Sequence, residues 1–244
     1  MNKMDFLKFL TGMFNENGIE TIPLKFHDFD NDIDLLVVNK RKYKKAHKIL
    51  IKNNFFKVNT VSYLREHDKG IYHSKNYTFD IHLHSRISQN AILLVSSKLV
   101  WKNKILKKGI FFPSENDEIL IIASHGIFER KYISKEDLEY FTNVEKKLDW
   151  DYILNNAKKY NWGKGIKLFK NSINSYRQSP EKKAFMYKFS DTLKVTLNKL
   201  ISDLAHLKLR IIPWEIFVFF VVDYFWCYKG SKKRLERGWY ILKK

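Results

Sequence analysis

Between His27 and Val38 the chain places aspartate at every second position, Asp28, Asp30, Asp32 and Asp34, and then runs into Leu35, Leu36, Val37 and Val38. A strand directs successive side chains to opposite faces, so Asp32 and Asp34 share one face while Ile33 takes the other. The aliphatic run reads as a strand buried on both faces, which ties the acidic end to a core. Packing gives no reason to hold like charges this close together. A divalent cation does, because carboxylate oxygens suit the hard ions Mg²⁺ and Mn²⁺. The competing reading of the same residues is a solvated acidic turn that happens to precede a strand.

Composition narrows the setting. The 244 residues make one large domain or two small ones, and a hydrophobic content of 45%, with 13 Tyr, 19 Phe and 6 Trp, indicates a globular chain. The single cysteine, Cys227, excludes a disulfide framework and a Cys-rich zinc site, and a reducing, cytoplasmic location is expected. Near the N-terminus Asp5 and Lys8 interrupt the apolar run after Lys3, which is not the pattern of a secretory signal. A net charge of +19 suggests anionic partners such as RNA, a nucleotide or an acidic membrane surface. Compositional bias explains it equally well, since only 8 of the 45 basic residues are Arg.

The remaining elements follow from periodicity and punctuation. Phe6, Phe9, Leu10, Met13 and Phe14 stand at helical spacing, and Gly18 ends that helix. Residues 19–26 form a strand bent at Pro23. After the acidic strand, Asn39 caps a helix over residues 40–52 with Tyr43, Ala46, His47 and Leu50 on its buried stripe. Residues 55–65 read as a strand, Asp68-Lys69-Gly70 as a turn, and residues 71–74 as a further strand. From Tyr77 to His84 the chain alternates again: Phe79, Ile81 and Leu83 face one way, and Asp80, His82 and His84 face the other. An Asp-x-His-x-His face is either a metal site in its own right or a polar, solvent-facing edge. Beyond it, Ser114 with Asp117, Ser134 with Asp137, and Asp149 each open a helix. One more amphipathic helix follows Pro180.

The segment Asp32-Ile33-Asp34-Leu35-Leu36-Val37 resembles the signature strand of the nucleotidyltransferase superfamily to which DNA polymerase beta belongs. More closely, the chain is similar to the uncharacterised nucleotidyltransferase family of bacteria and archaea. Phe79-Asp80-Ile81-His82-Leu83-His84 stands where that family carries a third carboxylate. The order of Trp101, the Pro113-Ser114 helix start, His125, Asp137 and Leu148-Asp149-Trp150-Asp151 resembles its helical half. Together these cover roughly residues 20–170.

The resemblance implies an α+β fold: a small mixed nucleotidyltransferase-type sheet flanked by helices over residues 1–112, then an all-helical part over residues 113–244. It also implies transfer of a nucleoside monophosphate from a nucleoside triphosphate to a hydroxyl acceptor with Mg²⁺ or Mn²⁺ as cofactor. Asp32, Asp34 and Asp80 would be the metal ligands and catalytic carboxylates, converging in one cleft, with Asp80 also accepting the acceptor's proton. Lys25, His27, His82 and Arg86 would bind substrate. The superfamily places a Gly-Ser or Gly-Gly turn before its Asp pair, whereas here no glycine occurs between Gly18 and Gly70. Either Lys25 and His27 replace those backbone contacts, or nucleotide binding is altered or lost. Two other classes therefore stay open: a catalytically degenerate binding module, and a basic nucleic-acid-binding protein. A small hydroxylated molecule, a sugar, a tRNA end and a protein side chain are all compatible acceptors. Without metal the clustered carboxylates are expected to repel, so Asp34→Ala and Asp80→Asn should each leave stability unchanged or raise it. Residues 211–228 are expected to form an aromatic-rich helix on the protein or on a membrane surface, making the chain at most peripheral. Glu215 and Asp223 would each cost roughly 2.5–3.5 kcal/mol inside a bilayer, so no transmembrane span is expected.

Overall fold

The computed structural model describes residues 1–26, 32–58, 69–89, 92–177 and 184–205. His27, the first half of the acidic run and the expected helix at residues 211–228 lie outside them. Two compact units emerge, one from residues 1–87 with 96–118, the other from residues 88–95 with 119–244.

The first unit opens with helix α1 (Lys3–Glu16), whose N-cap Asn2 accepts from the Asp5 amide. Strand β1 (Thr21–Leu24) runs antiparallel to β2 (Asp32–Val37), with Leu24 opposite Asp34 and Pro23 opposite Leu35. β1 is an edge strand, the place where a proline's missing N–H costs no ladder bond. Helix α2 (Lys40–Lys52) is capped by Asn39, whose side chain accepts from the Lys42 amide. Strands β3 (Phe56–Lys57), β4 (Lys69–His73) and β5 (Asp80–His84) complete a five-stranded sheet in the order β1-β2-β5-β4-β3. Only β2 and β5 are parallel; every other neighbouring pair is antiparallel.

The core lies against one face of this sheet. Ile33, Leu35 and Val37 of β2 and Ile81 and Leu83 of β5 are buried in one cluster with Phe6, Leu7, Leu10 and Phe14 of α1 and Ala46, Ile49 and Leu50 of α2. Phe9, expected on the buried stripe of α1, is 39% exposed, because Leu7 and Thr11 take the inward positions instead.

Gly70 is not a turn residue. It sits inside β4, opposite Leu83, and has no positive φ. A Cβ there would come within 2.7 Å of the Tyr43 hydroxyl and 2.9 Å of the Tyr72 ring. Glycine is needed for that close approach rather than for backbone curvature.

A short ribbon of β6 (Ser88–Gln89) and β7 (Ile92–Leu93) belongs to the second unit. The chain then returns to the first unit with helix α3 (Ser97–Lys102) and the hairpin β8 (Ile105–Lys107) and β9 (Ile110–Phe112). Its two-residue loop, Lys108-Gly109, has φ values of 51° and 80°, the left-handed pair that suits a tight hairpin.

Helix α4 (Glu115–His125) starts where Ser114 and Asp117 bond to one another, and it continues as a single π-helical segment, Gly126–Arg130. In the second unit, α5 (Lys135–Val144) begins with the expected Ser134–Asp137 capping box, and α6 (Trp150–Lys159) is capped by Asp149. Helix α7 (Gly163–Arg177), strand β11 (Ala184–Met186) and helix α8 (Phe189–Ala205) follow, and β11 pairs with β10 (Tyr132–Ser134). The unit is mainly helical and carries these two ribbons besides. Its core packs Phe141 edge-on to Phe169, and buried Trp162 donates its indole N–H to the Leu94 carbonyl at 2.8 Å. No helix among the described residues is long and apolar enough to cross a membrane.

Candidate active site

The polar face of the sheet is built from the same two strands as the core. The parallel register of β2 and β5 sets Asp32 beside Asp80, Asp34 beside His82, and Leu36 beside His84. Paired residues share a face, so the alternation expected in each strand is summed across the pair. Asp32, Asp34, Asp80, His82 and His84 all stand on the side away from the core.

Three of these residues form one ligand group. A single donor atom from each of Asp32, Asp34 and His82 comes within 4.8 Å of the others. His82 Nδ1 lies 3.3 Å from Asp32 Oδ2 and 3.3 Å from Asp34 Oδ1. Two carboxylate oxygens and an imidazole nitrogen converging like this fit a divalent cation by chemistry and by spacing. The resemblance implies substrate binding for His82, and the Asp-x-His-x-His pattern also allows a metal site; in the structure His82 stands with Asp32 and Asp34 rather than with Asp80 and His84 in one ligand group.

Behind this group, His84 Nε2 is 2.7 Å from Asp34 Oδ1, with the histidine side chain only 8% exposed. Burial, above all, pushes the His84 pKa down to about 4, outweighing the pull of Asp34 in the other direction. His84 is therefore neutral near pH 7, and because a carboxylate only accepts, its Nε2–H donates to Asp34. Asp34 also faces Lys25, whose Nζ is 3.6 Å from Oδ2. Burial works to raise the Asp34 pKa, but Lys25 and the bonds from His82 and His84 together hold it well below the usual carboxylate range. The expected repulsion between Asp32 and Asp34 is thus answered within the protein. The protein's own groups hold Asp34 in an attractive field.

Lys25 carries a second signal. Its φ is +49°, in the left-handed region that a lysine adopts at a cost of roughly 1–2 kcal/mol. It follows directly on β1, where the superfamily pattern would place a glycine turn, and it is 9% exposed. The positive φ is present; the residue type is not glycine.

Asp80 is on the same face as Asp32 and next to it in register, and its Oδ1 is 2.7 Å from His73 Nδ1. Both members of that pair are open to solvent, the side chains 44% and 55% exposed. His73 was not anticipated, because its closeness depends on the β4–β5 register rather than on any local pattern. Arg86 lies just past β5 and is exposed.

The model of a family described as uncharacterised nucleotidyltransferase matches residues 30–169, more than half of the chain. A crystal structure from H. pylori, provisionally named a nucleotidyltransferase, aligns over 86% of this chain and 99% of its own, with 11% sequence identity and a TM-score of 0.34. No curated protein sequence matches.

Proposed function

The chain belongs to the uncharacterised nucleotidyltransferase family, and from that premise we propose that it transfers a nucleoside monophosphate from a nucleoside triphosphate to a hydroxyl-bearing acceptor. The observation that carries the reading is the convergence of Asp32, Asp34 and His82 within 4.8 Å on the polar face of β2 and β5.

A divalent ion, Mg²⁺ or Mn²⁺, bound there would neutralise phosphate oxygens and favour in-line attack at the α-phosphorus. The protein's own part is to hold that charge in place. Asp32 and Asp34 supply oxygen ligands from a strand whose other face is locked in the core. His84 fixes the rotamer of Asp34 by donating to it at 2.7 Å. Asp80 is the proton acceptor: as the acceptor oxygen bonds to the α-phosphorus and the bond to the bridging α–β oxygen breaks, its carboxylate takes the hydroxyl proton and pyrophosphate leaves. His73, bonded to Asp80, orients that carboxylate. Lys25, with Nζ 3.6 Å from Asp34 Oδ2, would meet the triphosphate, with Arg86 as a further substrate contact.

Incubating the chain with α-labelled triphosphates and a panel of small-molecule, sugar, RNA and protein acceptors tests this directly. Label should move to one acceptor class only in the presence of a divalent ion. Asp80→Asn should cut transfer by about 10²–10⁴-fold while sparing triphosphate binding. Label that moves equally well in Asp32→Ala and Asp34→Ala would overturn the proposal.

A second reading has one specific observation in its favour. Where a glycine turn would admit the triphosphate, this chain has Lys25, with Nζ directed at Asp34. On that reading the fold binds a metal or nucleotide as a regulatory module and has no transfer activity.

A further inference from the structure

The donor set at the candidate site is not the all-oxygen set that Mg²⁺ prefers. Mg²⁺ is small and hard, keeps its waters and is bound through carboxylates and phosphates. Imidazole nitrogen instead suits first-row transition ions, whose affinity for mixed nitrogen and oxygen sites rises from Mn²⁺ through Co²⁺. Here the imidazole is held between the two carboxylates. His82 is fixed opposite Asp34 by the parallel β2–β5 ladder, and Nδ1 is equidistant, at 3.3 Å, from the two carboxylates. Its side chain is 17% exposed, so it has little room to swing into solvent. A cation shared by Asp32 and Asp34 would therefore sit within reach of a nitrogen donor. His84, bonded to Asp34 from behind, adds the kind of outer partner that fixes a ligating carboxylate.

We infer that this site selects a first-row transition-metal ion of the Mn²⁺ class over Mg²⁺, with His82 as a direct nitrogen ligand beside Asp32 and Asp34. The inference rests on the cation invoked in the proposed function, but it concerns which ion binds and through which atoms.

Calorimetric titration of the full-length chain with Mg²⁺, Mn²⁺ and Co²⁺, without nucleotide, tests the selection. Pulsed electron paramagnetic resonance of the Mn²⁺-loaded chain tests the ligand. The expected order of affinity is Mg²⁺ below Mn²⁺ below Co²⁺, with Mn²⁺ ahead of Mg²⁺ by about tenfold or more. The wild-type spectrum should show coupling of Mn²⁺ to a nitrogen nucleus, which His82→Ala removes while weakening Mn²⁺ by about tenfold or more. His82→Asn, closer in size, repeats the test if the alanine variant does not fold, and the wild-type spectrum needs no variant. Equal affinity for Mg²⁺ and Mn²⁺, or Mn²⁺ bound with no nitrogen coupling, overturns the inference and leaves the proposed function standing. Failure of the wild type to bind any of the three ions, even with a non-hydrolysable triphosphate present, overturns both.

Discussion

The two faces of the β2–β5 pair are made from alternate residues of the same two strands, eleven residues in all, yet they obey opposite rules. On one face Ile33, Leu35, Val37, Ile81 and Leu83 are at most 1% exposed and pack on α1 and α2. On the other, Asp32, Asp34, Asp80, His82 and His84 crowd ionisable groups together. A one-residue slip of either strand would exchange the faces, burying aspartate in the core and exposing leucine. The apolar face therefore enforces a register that the polar face could not choose for itself. Packing energy on one side is what holds like charges within ligand distance on the other.

That division predicts where substitutions will act. Leu35→Ala, on the core face, should lower stability by about 2–5 kcal/mol in urea denaturation. A loss below about 1 kcal/mol would mean the core does not set the register. On the polar face the effects should be smaller. Asp34→Ala should cost roughly 1–3 kcal/mol in the metal-free protein, because it takes a buried acceptor from His84 and a carboxylate from Lys25. Unchanged or increased stability would restore the simpler picture of two repelling aspartates.

Acid sharpens the contrast further. The His84 pKa falls from its ordinary 6.5 to about 4 in the folded protein. Between those values the unfolded chain binds a proton that the native state refuses, so stability declines as pH falls through that window. The contribution is at most about 1.4 kcal/mol per pH unit. Asp34, with its pKa held well below 3.8, stabilises the fold above that value and loses the contribution as pH falls through its lowered pKa. Urea melts at about pH 7 and about pH 4.5 should therefore show a drop for wild type that His84→Asn reduces. An equal drop in both would remove His84 from the account. The smallest effect belongs to Lys25→Gly, which relieves a left-handed lysine but loses an ion pair. Its net change should stay within about 1 kcal/mol, and a larger loss would assign Lys25 a heavier structural role.

Local chemistry was legible in the sequence. The caps Asn39, Ser134 with Asp137, and Asp149 are set by residues three apart, and each opens the expected helix. Alternation likewise revealed which residues of β2 and β5 share a face. What escaped the reading depends on register or on contacts far apart in the chain. His73 meets Asp80 only because β4 pairs with β5. Gly70 looked like a turn residue until Tyr43, on α2, came to lie against it. Helix α7 opens at Gly163, a residue that sequence reasoning treats as a terminator, and no capping side chain announces it. The hairpin at Lys108-Gly109 carried only a partial signal: Gly109 suits its positive φ, but Lys108 stands where Asn or Asp is the usual residue.

The proposed function requires the polar face of β2 and β5 to hold a divalent cation for a nucleoside triphosphate. Calorimetric titration of the full-length chain with a non-hydrolysable triphosphate, with and without Mn²⁺, measures it most directly, for the wild type and for Asp34→Ala. The wild type should bind only when Mn²⁺ is present, and Asp34→Ala should bind about 100-fold more weakly or not at all. Binding of the same strength without Mn²⁺, or in Asp34→Ala, would contradict it.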